Sequence, residues 1–230
     1  MCGRYAATAN PDELVEEFDI TFVDEGMDEV CAPRYNVAPT DRVPAVVERQ
    51  RDGSVERRLV GLRWGLVPSW AKMPSSSMIN ARVETVCSKP SFRKAAAARR
   101  CLLPALGYYE WRQEVPSEGG RAIRQPYFLH PAAEPMVMAG LYEFWKGDEG
   151  WLVTTAIITT EATDEFGWVH DRMPMVVPAD SWDDWLDPTM TDAAAAVSML
   201  SAPTRLEHRK VSRAVNSVRN DGPALLEPLP

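Results

Sequence analysis

The stretch "VPAVVERQRDGSVERRLVGLRWGL", residues 43–66, decides how the chain reads. Two runs rich in β-branched and apolar residues flank Asp52-Gly53. That dipeptide suits the two-residue turn of a β-hairpin, because glycine reaches positive φ without steric cost. The pattern recurs downstream. "GYYEWRQ" (107–113) and "QPYFLH" (125–130) read as strands separated by a Gly-rich loop at 117–120. "PMVMAGLYEFW" (135–145) and "WLVTTAIITT" (151–160) read as a further hairpin around residues 146–150. Strands that come as neighbouring hairpins, with helices between and after them, predict an α+β class rather than alternating βαβ units. The expectation is one domain over residues 1–230, with its core at about 2–223 and a C-terminal tail beyond: a largely antiparallel, curved, barrel-like sheet flanked by helices.

Four segments carry helix signals. "TANPDELVEEF" (8–18) offers Asn10 as N-cap and Pro11 at the first helical position. "PSFRKAAAARRCLLP" (90–104) predicts a helix capped by Ser91, with basic residues in its last turn, then a short apolar strand. "PADSWDDWL" (178–186) and "TDAAAAVSML" (191–200) predict helices capped by Asp180 or Ser181 and by Thr191. From Ala202 onward the chain is rich in proline and turn residues.

Composition is that of an ordinary globular protein, 45% hydrophobic and 25% charged. No apolar run is long enough to span a bilayer, and the N-terminus lacks the apolar core of a secretory signal. A cytoplasmic protein with reduced thiols is therefore expected, with no membrane partner. Cys2, Cys31, Cys87 and Cys101 match no metal-ligand spacing, so no metal is expected, and buried packing is the reading for the last three. The net charge of −8 argues against nonspecific coating of nucleic acid. The charge is uneven, however. Residues 10–29 hold nine acids and no base, whereas residues 82–101 hold six bases against Glu84 alone. An acidic face and a basic one fit local nucleic-acid contact, and equally two solvated helix faces.

Several polar residues stand where a core strand would not want them. "INARVET" (79–85) places Asn80, Arg82 and Glu84 in alternation, on one face if the stretch is a strand. Glu110 sits between Tyr109 and Trp111, where desolvation raises a carboxyl pKa; pairing with an arginine at a core edge is the structural alternative. His170 and Arg172 fall in a turn before an apolar strand, where His170, like His130 and His208, also fits a capping role. Generic nucleotide-binding, serine-hydrolase and metalloprotease signatures are absent.

The motifs taken together are more specific. "MCGRY" (1–5), "RYNVAP" (34–39), "WGLVPSW" (64–70), "NARVET" (80–85), "RCLLPALGYYEW" (100–111), "HDRMP" (170–174) and "VNSVRNDGP" (215–223) appear in one order. They closely resemble the SRAP family, SOS-response-associated peptidase-like proteins that process abasic DNA. The departures are a valine at position 83 and a strongly acidic first helix. The resemblance implies a monomer that binds abasic sites in single-stranded DNA, associates with the nucleoid when bound, and attaches covalently through Cys2, without a cofactor. With Met1 removed, Cys2 presents an α-amine and a thiol on adjacent carbons, which can close a thiazolidine on the lesion aldehyde. Reference pKa values of about 8 and about 8.5 leave usable amounts of both nucleophiles near neutrality.

The resemblance also implies roles for side chains. Glu110 is the acid/base carboxylate, His170 protonates the departing ring oxygen and assists reversal, and Asn80 holds the N-terminal residue and sugar. Arg4, Arg82 and Arg172 are candidate phosphate contacts. Asn36 and Pro39 of "RYNVAP" are further DNA-binding candidates. Trp64, Trp70 and Trp111 are candidate stacking surfaces, of which at least one is expected to be purely structural. Self-removal of Met1 is a second implied activity. The competing readings are a noncovalent reader of modified or single-stranded DNA and a cysteine peptidase with an N-terminal nucleophile.

Overall fold

A computed structural model describes residues 2–8, 10–74, 78–115, 121–133, 135–163 and 165–229. Met1 and the Gly-rich loop expected at 117–120 lie outside the described residues. In chain order the strands are β1 (Tyr5–Ala7), β2 (Phe22–Val23), β3 (Arg34–Val37), β4 (Arg42–Arg51), β5 (Ser54–Trp64), β6 (Asn80–Arg82) and β7 (Arg100–Ala105). They continue as β8 (Gly107–Glu114), β9 (Ile123–Pro131), β10 (Met136–Gly147), β11 (Gly150–Glu161), β12 (Arg172–Pro174) and β13 (Leu206–Lys210). The helices are short: α1 (Pro11–Glu17), α2 (Met27–Val30), α3 (Val83–Val86), α4 (Arg93–Ala98), α5 (Trp182–Leu186) and α6 (Ala193–Ser198).

The β4–β5 hairpin forms as its sequence predicts. Arg51 pairs with Ser54, and Asp52 and Gly53 both take positive φ, 50° and 86°, as a type I′ turn requires. The larger sheet runs β12-β11-β10-β7-β4-β5-β2. It curls until β11 also meets β5, in parallel, at Thr154↔Arg63 and Thr155↔Trp64, closing a ring of β11, β10, β7, β4 and β5. A second, five-stranded sheet runs β13-β9-β8-β1-β3. The α+β class with largely antiparallel, barrel-like sheets is therefore the architecture observed.

Period-two alternation sorts the ring strands into two cores. Val46, Leu59, Leu102, Ala139, Ala156 and Ile158 pack with Leu14, Phe18, Phe92, Trp185 and Ala196 of the helical layer. Their neighbours Ala45, Val47, Val60, Leu62, Leu103 and Ile157 pack the other way, with Cys2, Tyr5 and Tyr108 of the second sheet's strands. The interior is tight at Gly140, where an added Cβ would lie 2.6 Å from the Cys101 sulfur.

Local expectations hold in part. Asn10 caps α1, its side chain accepting from the Asp12 amide at 3.0 Å. The 90–104 helix begins later than expected, with Phe92 rather than Ser91 at its N-cap, because Phe92 is buried in the core and fixes the start. Its last turn holds no basic residue. Arg100 instead begins β7 and reaches back to the carbonyls of Ala96 and Ala97, answering the same unsatisfied groups from the next element. Asp192, not Thr191, caps α6, accepting from the amides of Ala194 and Ala195. The turn-rich end beyond Ala202 contains β13, paired to β9, and Leu225 is buried, so the segment past residue 223 packs on the core. Cys87 is exposed rather than packed. Among the described residues no helix is long and apolar enough to cross a membrane.

Candidate functional site

Strand pairing brings the N-terminus beside Glu110. β1 runs antiparallel to β8 with Tyr5 opposite Tyr108 and Ala6 opposite Gly107, and the Tyr109 amide donates to the Arg4 carbonyl at 2.9 Å. Continued by two residues, this register sets Gly3 opposite Glu110. Cys2 follows into the interior, fully buried. Its carbonyl accepts from the Asn80 side-chain amide at 2.9 Å. Asn80 comes from β6, which lies parallel to β11 with Asn80 opposite Ile157. The Asn80 Oδ1 atom is buried and, among the described residues, accepts no hydrogen bond.

Beside Cys2 in sequence, Gly3 lines a cleft of about 550 Å³ together with Arg4, Glu110, Trp111, Arg124, His170 and Asn216. A second cleft, of about 640 Å³, is lined by residues that include Asn80, Arg82, Thr85, Ser88, Lys89 and Phe92. Burial raises the Glu110 carboxyl above its ordinary pKa, and nearby positive charge, His170 included, pulls against that rise. Burial, with Glu110 adding to it, also pushes the Cys2 thiol far above its ordinary value. The Cys2 sulfur is therefore held as a neutral thiol at physiological pH, not as the partly ionised thiol that a reference value implies. His170 Nδ1 lies 3.0 Å from the Arg172 amide and 2.8 Å from an Asp171 carboxylate oxygen. The Arg172 amide calls for an accepting Nδ1 and the Asp171 carboxylate for a donating one, so the two contacts favour opposite tautomers.

The expected site residues divide. Glu110, His170, Arg4 and Trp111 line the first cleft, Asn80 and Arg82 line the second, and the buried Cys2 is joined to Asn80 through its carbonyl. Arg4 donates from Nη1 to Asn36 Oδ1 at 2.7 Å and to the Val215 carbonyl at 2.9 Å. Asn36 is 1% exposed and ties the segment around Val215, Ser217 and Asn220 to β3, which makes it a strut rather than a DNA surface.

Arg172 is likewise buried. It grips both carboxylate oxygens of Glu84 at 2.7 and 3.0 Å and the Thr159 carbonyl at 2.6 Å, so its expected phosphate contact gives way to an internal one. Glu84 itself leaves the alternation expected for "INARVET": β6 ends at Arg82 and α3 begins at Val83. Trp64 is fully buried, edge-on to Tyr5, with its indole N–H on the Ile79 carbonyl; it is the structural tryptophan of the three. Trp70 is 63% exposed, and Pro39 is half-buried between β3 and β4; neither lines the two clefts described.

Arg124 and Asn216 line the first cleft without having been singled out. Asn216 was visible only as part of "VNSVRNDGP", and Arg124 carried no signal beyond its place before a strand-like run. Among the described residues no group of three or more His, Cys, Asp or Glu side chains is arranged to hold a metal ion.

Comparison with known proteins bears on this arrangement. The family model described as SOS response associated peptidase (SRAP) matches residues 1–218. The chain is 38% identical over 234 residues to the abasic site processing protein YoqW of Bacillus subtilis, covering 99% of each. It is 31% identical over 243 residues to the abasic site processing protein YedK of Escherichia coli, covering 100% of each. A crystal structure of a protein from Bacteroides thetaiotaomicron shares the fold, with a TM-score of 0.82 at 23% identity over 99% of this chain and 100% of that one. The chain belongs to the SOS response associated peptidase (SRAP) family.

Proposed function

We propose that this protein binds abasic sites in single-stranded DNA and crosslinks to them through Cys2 once Met1 has been removed. The relatives named as abasic site processing proteins support the substrate class. The observation that carries the reading is that Cys2 is held by Asn80 through its carbonyl, while its neighbour Gly3 lines one cleft together with Glu110 and His170.

The chemistry follows from the groups present. The open form of the lesion presents an aldehyde. The Cys2 α-amine adds to it and water leaves, giving an imine. The thiol then adds across the C=N bond: sulfur bonds to carbon, and the thiol proton ends on nitrogen. The product is a five-membered thiazolidine, and no bond requires an oxidant or a cofactor. The buried, neutral thiol supports this order, amine first and sulfur second, and disfavours a thiolate-first peptidase. Glu110, its proton held more tightly by burial, is suited to donate to the departing hydroxyl and later to accept. His170, which lines the same cleft as Glu110, is the group assigned to protonate the sugar ring oxygen. The buried Asn80 Oδ1 has capacity to accept from the N-terminal nitrogen or a sugar hydroxyl.

The test uses the processed protein and a single-stranded oligonucleotide with one abasic site. A heat-stable, protein-sized shift that vanishes in Cys2→Ala is expected. Unchanged binding without a stable adduct in either protein would favour a noncovalent reader, and turnover of peptides without DNA would favour the peptidase.

A further inference from the structure

Two of the three arginines expected to hold phosphate are already engaged within the protein. Arg172 is buried on Glu84 and Thr159, and Arg4 is tied to Asn36 and the Val215 carbonyl. Arg124 differs from both. It stands on β9 opposite Gln113 of β8, is exposed to solvent, and lines the cleft that holds Glu110 and His170. Among the described residues it meets an aromatic ring rather than a carboxylate. Its guanidinium carbon lies 5.9 Å from the centroid of Trp111, and Arg4 lies at the same 5.9 Å from that ring. The ring is anchored, since its indole N–H donates to Asn216 Oδ1 at 2.7 Å.

A guanidinium resting on a fixed indole keeps its donors free while its position is restrained. Those donors match the paired oxygens of a phosphodiester, and the restraint lowers the ordering cost of using them. The aldehyde carbon must reach Cys2 below Gly3, so the neighbouring backbone passes the solvent-exposed level where Arg124 sits. The lining of the cleft carries two guanidinium groups, Arg4 and Arg124, against the single carboxyl of Glu110.

We propose that Arg124, seated over Trp111, binds a backbone phosphate of the strand beside the abasic site and sets affinity rather than chemistry. The proposal rests on the abasic-DNA reading above. Crosslinking rates of the processed wild type, Arg124→Gln and Arg124→Lys are measured against oligonucleotide concentration at several salt concentrations. Arg124→Gln is expected to raise the half-saturating concentration about tenfold, with the saturating rate within about twofold of wild type. The slope of log affinity on log salt becomes shallower by about 0.7, the value for one phosphate contact to a single strand. Arg124→Lys recovers the slope but only part of the affinity, because the bidentate geometry is lost.

Phosphates flanking the lesion are then replaced one at a time by neutral methylphosphonate. One position should weaken the wild type about tenfold and leave Arg124→Gln unaffected, as coupling between the two groups requires. A wild-type slope and a wild-type methylphosphonate pattern in Arg124→Gln would overturn the proposal, while the wild-type crosslink in the same experiment would leave the abasic-site reading intact. Absence of any wild-type crosslink would count against that reading. Equilibrium binding of the same oligonucleotides would then still decide for or against Arg124.

Discussion

At the scale of single residues, the candidate site is marked by desolvation. Cys2 is fully buried and Glu110 nearly so, and each carries its proton further up the pH scale than a solvated counterpart. For Glu110 the sign is definite. A carboxyl whose folded pKa is raised stabilises the fold below the ordinary carboxyl pKa, and that contribution is lost as pH rises through the raised value. Glu110→Gln therefore removes a burden at neutral pH. Its melting temperature at pH 7 should equal or exceed that of wild type, while its crosslinking rate falls about 100- to 10,000-fold, the usual worth of a general acid–base group. Thermal melts beside single-turnover crosslinking check both arms. A loss of stability together with activity would mark Glu110 as structural. The carboxyl's desolvation was legible in the sequence from its aromatic neighbours in "GYYEW". The burial of Trp64 and Arg172 was not, because nothing local separates a core tryptophan from a stacking one.

At the scale of elements, the β6–α3 segment links two sides of the candidate site. Asn80 holds the Cys2 carbonyl, and four residues on Glu84 clamps Arg172, whose backbone amide faces His170 Nδ1. Arg172 holds the Glu84 carboxyl below its ordinary pKa, so this link is intact above the usual carboxylate range and is lost as pH falls through the depressed value. Glu84→Gln should cost about 1–3 kcal/mol in denaturant unfolding, because it strands a buried guanidinium. On the proposed role of His170 in protonating the sugar ring oxygen, it should also slow crosslinking beyond any loss of folded protein. A crosslinking rate unchanged per folded molecule would leave Glu84 with only a structural role.

Strand packing makes a separate demand at Gly140, which faces Cys101 and Leu103 inside the ring. Gly140→Ala should destabilise by about 1–3 kcal/mol through overpacking, read as a lower denaturation midpoint at unchanged m-value. Hairpins such as β4–β5 were readable because alternation and Asp52-Gly53 act locally. The α6 cap slipped by one residue because Thr191 and Asp192 are both cap formers, and backbone geometry chose Asp192. The Glu84–Arg172 pair joins residues 88 apart and had no local signal.

At the scale of the whole molecule, a net charge of −8 coexists with two clefts that share few acids and several cations: Arg4 and Arg124 in one, Arg82 and Lys89 in the other. The ring is closed by only two parallel residue pairs between β11 and β5, a contact between distant strands that hairpin reading cannot foresee. That closure matters for the site, because β11 carries β6 on the edge that β5 also meets, and so fixes Asn80 against the N-terminus. The central claim is that the amine and thiol of Cys2 both end on the lesion carbon. Intact-mass measurement of the adduct, with and without borohydride, tests it most directly. The account predicts a mass equal to protein plus oligonucleotide less one water, unchanged by borohydride, because a thiazolidine has no C=N bond to reduce. A gain of two hydrogens on reduction, or an adduct of the same mass relation and stability in Cys2→Ala, would contradict it.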